Sequence, residues 1–230
     1  MLKKLDTLRL KVRRHGAGAT AYEAAVKALG SVADFKILRG VFVARPDAAF
    51  LACPAPYEAR ILSEAELRRF AADPSNELSD AFLNEALVRG DQCYAILHGE
   101  RLAAYGWYAF GPTPIGLPGL LLHYRTGYVY MYKGFTHTDH RGKRLHAIGM
   151  TRALQHYLAK GHEGIISYVE SINFDSLKSC FRMGYFVFGT VYVVKAPGRY
   201  FSFSTPGCRD YAFRVESVAG GGAGGLIFGK

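Results

Sequence analysis

Several features are scarce in this 230-residue chain, and each scarcity excludes something. There are four cysteines, Cys53, Cys93, Cys180 and Cys208, and no C-x-x-C pair. A disulfide framework and a structural zinc site are therefore both poor readings, and free, buried thiols are expected. No apolar run is long enough to cross a bilayer. The opening stretch MLKKLDTLRLKVRRHG carries charges throughout, so it lacks the apolar core of a secretory signal, and a cytoplasmic location is expected. Acidic residues are also in deficit. Lys plus Arg number 29 against 19 Asp plus Glu, which leaves +10 and favours an anionic partner.

What is present organises into alternating elements. Leu2, Leu5, Leu8 and Val12 fall at helical spacing, a second helix is expected over 19–29, and a strand over 35–44. From Tyr57 onward the pattern is regular. A short strand over 58–61 precedes helices capped by Ser63 and Ser79. Strands over 93–97 and 101–110 follow, joined by His98-Gly99-Glu100. Three prolines in GPTPIGLPG (111–119) predict a loop that sustains neither helix nor ladder. The run 128–136 reads as a strand buried on both faces, 144–160 as a helix, and 164–169 as the next buried strand. Asn173 caps a short helix closed by Gly184, and strands follow over 185–194 and 211–216. The expected fold is α/β (α+β): a mixed, largely antiparallel sheet flanked by helices. Residues 1–56 read as a partly helical extension, 57–218 as the main domain, and 219–230 as a flexible Gly-rich tail.

The chemistry concentrates in the turn THTDHRGKRLHA, between the strand ending near Thr136 and the helix starting near Arg144. A helix N-terminus offers unpartnered N–H groups and partial positive charge, which attract phosphate oxygens. Gly142 permits close backbone approach, and Arg141, Lys143 and Arg144 add charge where an anion would sit. A solvated basic loop would carry the same local signal, so the turn alone does not decide.

A second motif does. About thirty residues on come Asn173, Ser176 and the pair Gly184-Tyr185. Together with Arg141-Gly142 these resemble the GNAT superfamily of acyl-CoA N-acyltransferases. That family's turn is Q/R-x-x-G-x-G/A, followed by a strand ending in Asn, A/S three residues later, and a Gly-aromatic pair. The resemblance covers 128–194 and extends back to 57. It implies direct attack of an amine, from a small molecule or a peptide, on acetyl-CoA or another acyl-CoA. Phe135, Thr136 and His137 would hold the pantetheine, and Arg141, Gly142, Lys143, Arg144, Leu145 and His146 the pyrophosphate, with Asn173 and Ser176 opposite. Arg144 and His146 replace two of the family's glycines. Cys180 stands where many members carry a tyrosine that protonates the leaving thiolate; it is the positional candidate, although a cysteine is a poor substitute.

A proton acceptor is also required. Glu170, after the apolar run GIISYV, is the first candidate because burial there would raise its pKa. An exposed strand-end carboxylate would look the same in sequence. His137 is the second. Tyr128, Tyr130 and Tyr132 alternate toward one face and either line a pocket or pack in the core. His137-x-x-His140 lacks the third ligand a metal site needs. Two further readings stand beside the acyl-CoA enzyme. In one, an acidic acyl carrier protein delivers a long acyl chain; in the other, the chain binds acyl-CoA without catalysis. The basic N-terminal segment could dock that carrier or a membrane, though packing on the core is favoured. Basic residues are not interleaved with aromatics in a nucleic-acid motif.

Overall fold

A computed structural model describes residues 2–32, 35–196 and 199–218; the Gly-rich tail expected over 219–230 lies outside them. The apolar run that reads as a buried strand is β7 (Tyr128–Thr136), near the middle of an eight-stranded sheet. With β1 (Phe35–Val43), β2 (Tyr57–Ile61), β3 (Gln92–His98), β4 (Arg101–Ala109), β8 (Gly164–Glu170), β9 (Phe186–Ala196) and β10 (Arg199–Ser204), the order is β10-β9-β1-β8-β7-β4-β3-β2. Every neighbouring pair is antiparallel except β7 and β8. The mixed, largely antiparallel sheet expected from sequence is therefore present.

Among the described residues six α-helices flank it: α1 (Leu2–His15), α2 (Ala17–Val32), α3 (Glu64–Ala71), α4 (Asp80–Val88), α5 (Leu145–Ala159) and α6 (Phe174–Arg182). α5 and α6 cover one face. Met150, Leu154 and Tyr157 of α5 and Cys180 of α6 pack with Val129, Met131, Ile165 and Val169. Leu154 is 2% exposed, so Leu154→Ala should cost about 2–5 kcal/mol. On the opposite face α3 and α4 pack over β3 and β4. Beside them lies a three-stranded sheet of β5 (Thr113–Pro114), β6 (Leu120–His123) and β11 (Arg214–Ser217).

Local chemistry explains the element ends. Ser63 and Glu66 form a reciprocal capping box before α3, and Ser79 accepts from Phe82 N before α4. Several elements differ from the sequence expectation: neither β6 nor β10 is expected, and the strand expected over 211–216 begins at Arg214. The segment 111–119 does sustain a short ladder, because Thr113–Pro114 is an edge strand where proline's missing N–H costs nothing. α2 runs past Gly30 to Val32. Residues 1–56, read as an extension, supply β1, which lies between β8 and β9, third from one edge of the sheet.

Candidate functional site

The parallel pair β7 and β8 is registered at only three positions, Tyr128–Gly164, Val129–Ile165 and Tyr130–Ile166. Beyond these the strands part. At the parting point Ser167 Oγ donates to Met131 O at 2.7 Å, a side chain taking the place of the ladder. On its other edge β7 stays paired with β4 as far as Thr136, with Tyr132 as an extra, bulged residue between Met131 and Lys133. Bulges re-aim side chains and commonly flank active sites. Beyond Met131, whose carbonyl is taken by Ser167, the β8-facing edge of β7 is not registered with β8.

α5 and α6 both begin at the carboxyl ends of this diverging pair, where ligands of parallel strands characteristically bind. Before α5, Gly142 adopts φ +79°, the left-handed region, with open space around its α-carbon. Arg144, the residue preceding the helix, adopts φ +60° and provides no side-chain cap. That conformation costs a non-glycine residue about 1–2 kcal/mol. The backbone shape of a glycine is therefore kept at a position where this chain carries arginine. No side chain caps the first-turn N–H groups of α5, which carry the partial positive charge of a helix N-terminus.

Arg141, Gly142, Lys143 and Arg144 are all exposed on this turn. Arg141 Nε donates to Thr136 O at 3.3 Å. Lys143 Nζ donates to Tyr57 OH at 2.9 Å, and Tyr57 OH lies 3.0 Å from His140 Nδ1. Burial first, then the Lys143 charge and neighbouring His98, hold His140 below its ordinary pKa. Phe135 stacks on Tyr105, with centroids 5.1 Å apart. His137 fixes the start of the turn: its N–H donates to Ala103 O at 2.9 Å. Leu145 is buried, so it can offer a ligand only its backbone. His146 points back onto β7, its ring filling the space above Gly134; burial lowers its pKa and favours the neutral imidazole. A cleft of about 450 Å³ opens beside the turn, bordered by His137, His140, Arg69 and Arg101.

Across the mouth, Asn173 Oδ1 accepts from Ser176 N at 3.1 Å and caps α6. Cys180 faces the core, where burial pushes its thiol up to about 11. The burial expected for Glu170 is not found. It is 38% exposed, accepts from Lys36 Nζ at 2.8 Å, and lines a separate cavity of about 540 Å³ with Val26 and Ile37. Lys36 belongs to β1, whose place beside β8 is not legible in sequence. Of the three alternating tyrosines, Tyr128 and Tyr130 are core residues, and only Tyr132 is half-buried. Its hydroxyl donates to Asp91 Oδ2 at 2.9 Å, and Arg89 pairs with the same oxygen at 2.8 Å. Burial raises the Asp91 carboxyl, against the pull of Arg89. Sequence reading misses this ion pair, since Arg89-Gly90-Asp91 looks like an exposed turn. No helix among the described residues is long and apolar enough to cross a membrane.

No protein-family model matches the chain, and no curated protein matches it. Solved structures do align with it. One is an acetyltransferase of the GNAT family from Novosphingobium aromaticivorans, 16% identical, with a TM-score of 0.49 over 70% of this chain and 63% of that one. A tandem GNAT protein from the clavulanic acid biosynthesis pathway is 15% identical, with a TM-score of 0.48 over 75% and 59%. A GCN5-related N-acetyltransferase-like protein from Streptococcus suis is 12% identical, with a TM-score of 0.48 over 74% and 67%. The chain thus spans about three fifths of the length of the first two. The sheet of this chain is mixed and opens between β7 and β8, its one parallel pair among the described residues, with a helix N-terminus following each of the two strands.

Proposed function

We propose that the protein transfers an acyl group from acyl-CoA to an amine. The observation that carries this reading is the convergence at the β7–β8 opening: an uncapped α5 N-terminus, preceded by two left-handed residues and flanked by Arg141 and Lys143. A diphosphate fits such a turn because N–H groups and cations face it together. Pantetheine would then run along the open edge of β7 as an added strand. The amine nitrogen attacks the thioester carbonyl carbon, the C–S bond breaks, and the thiolate leaves. Holding both partners in the opening supplies much of the acceleration.

A proton must leave the amine. Glu170 is retained as the proton acceptor from its place at the end of β8 after the apolar run, although it is paired with Lys36 on a cavity separate from the cleft beside the turn. The Tyr132–Asp91 pair is the alternative, half-buried at the bulge. His137, tied to Ala103 and facing the turn, serves the phosphate end instead. The test is isothermal titration with acetyl-CoA, followed by thiol release with a panel of amines. Binding with amine-dependent release supports the proposal, and absence of binding defeats it.

A second donor reading has its own observation. On α1, Leu8 and Leu10 are 50% and 65% exposed beside exposed Arg9 and Arg13. A basic surface with apolar side chains suits an acidic acyl carrier protein. Replacing acetyl-CoA by an acylated carrier in the same assay separates the two donors.

A further inference from the structure

Gly30 lies inside α2, at a position where its sequence context predicts the end of the helix. Glycine within a helix is less stable than alanine, so a missing side chain there has a cost. Steric crowding does not require it. Among the described residues a Cβ on Gly30 would meet Phe35 O at 3.6 Å, an ordinary contact, and nothing nearer. What the glycine leaves is space. It lines the cavity of about 540 Å³ that α2 forms with the ends of β1 and β8.

The walls of this cavity are apolar. Val26, four residues before Gly30, shares the sheet-facing side of α2, and Phe35, Ile37 and Ile172 complete the apolar lining. Val26 and Ile37 are both buried. Ser171 is the one uncharged polar side chain of the lining, and it already accepts from the Tyr22 hydroxyl at 2.9 Å. The interior thus offers little to orient a polar molecule, although its volume is that of a small-molecule site. The apolar surface also continues outward. Ile37 is registered with Tyr192, and Tyr192 with Phe203, and these two are 37% and 63% exposed.

Charge enters from Lys27, Lys36 and Glu170. Lys36 is balanced by Glu170 at 2.8 Å. Lys27 shares Glu23 with Lys11, at 2.6 and 2.5 Å, so two ammonium groups face one carboxylate and a positive charge is left over.

We propose that this cavity binds a single aliphatic chain with an anionic head, the chain between α2 and β1 and the head at Lys27. An aliphatic chain asks for no hydrogen bonds, and its transfer from water drives binding. A carboxylate or phosphate at its end meets the unbalanced ammonium. The cavity is separate from the cleft beside the α5 turn, so this binding does not depend on the acyl-CoA reading.

The probe is dodecanoate, titrated by calorimetry into the full chain below its micellar concentration. Wild type should bind one molecule per chain. Octanoate, four methylenes shorter, should bind more than tenfold more weakly, since less apolar area is buried. Dodecylamine, the same chain with a cationic head, should also bind more weakly than dodecanoate. Gly30→Leu puts a side chain into the cavity and takes a glycine out of a helix. It should weaken dodecanoate at least tenfold while the melting temperature does not fall. Lys27→Gln keeps the Lys11–Glu23 pair and should weaken dodecanoate about threefold. Absence of saturable dodecanoate binding by wild type, or equal binding by a folded Gly30→Leu, overturns the proposal. If Gly30→Leu does not fold, equal affinities for dodecanoate and octanoate, with no effect of Lys27→Gln, overturn it instead. Cosedimentation with vesicles of phosphatidylcholine and phosphatidylglycerol separates the two sources of such a chain. Vesicle binding lost in Gly30→Leu assigns a membrane lipid, and dodecanoate binding without vesicle binding assigns a free acid.

Discussion

Lys143 donates to the Tyr57 hydroxyl at 2.9 Å, so the second strand of the sheet holds the cation at the centre of the proposed phosphate turn. The same oxygen faces His140 Nδ1 at 3.0 Å. One phenol therefore orders two side chains of the turn. Tyr57→Phe should weaken acetyl-CoA by about fivefold, since a net hydrogen bond to a charged group is worth about 1 kcal/mol or more. Titration calorimetry checks this, and equal affinity would remove Tyr57 from the account.

The two left-handed residues predict opposite responses to substitution. Gly142→Val has open space but the wrong backbone preference at φ +79°; the strain is about 1–3 kcal/mol and moves the turn. The fold should survive by circular dichroism while acetyl-CoA binding is lost. Arg144→Gly relieves strain at φ +60° and should raise the melting temperature. If the guanidinium contacts phosphate, the same variant binds acetyl-CoA more weakly. A gain in stability with no loss of affinity would show that Arg144 is only tolerated there.

The proton acceptor is separable by kinetics. Glu170→Gln should lower kcat roughly a hundredfold with little change in acetyl-CoA affinity, a typical loss for a general base. An unaffected rate, with Tyr132→Phe slowed instead, would move the role to the Tyr132–Asp91 pair.

Stability at low pH has a named contributor. Hydrogen bonds from Arg60 and Ser63 hold Glu66 well below the ordinary carboxylate range, at about 2. A depressed folded-state pKa means stability that is fully present above the unfolded value and lost as the folded carboxylate is protonated. The melting temperature should therefore fall between about pH 4.5 and about pH 2. Glu66→Gln should flatten that part of the curve, and an identical pH profile would contradict the assignment.

Local patterns carried much of this molecule. The turn around Gly142 is legible because a glycine between basic residues, after a buried strand and before a helix, has few uses. The caps at Ser63, Ser79 and Asn173 are legible for the same reason: each needs only its own neighbours. Long-range pairing is not legible. β1 reads as part of an extension, because nothing within 35–43 announces that its partners are β8 and β9. That pairing brings Lys36 to Glu170 and alters the site. β10 escapes sequence reading too, since RYFSFS leaves Phe201 and Phe203 largely exposed.

The most direct measurement is titration of the full chain with acetyl-CoA, alongside the Gly142→Val variant. One molecule bound per chain is expected in wild type, and none in a folded Gly142→Val. Absence of acyl-CoA binding by wild type, or equal binding by the variant, would contradict it.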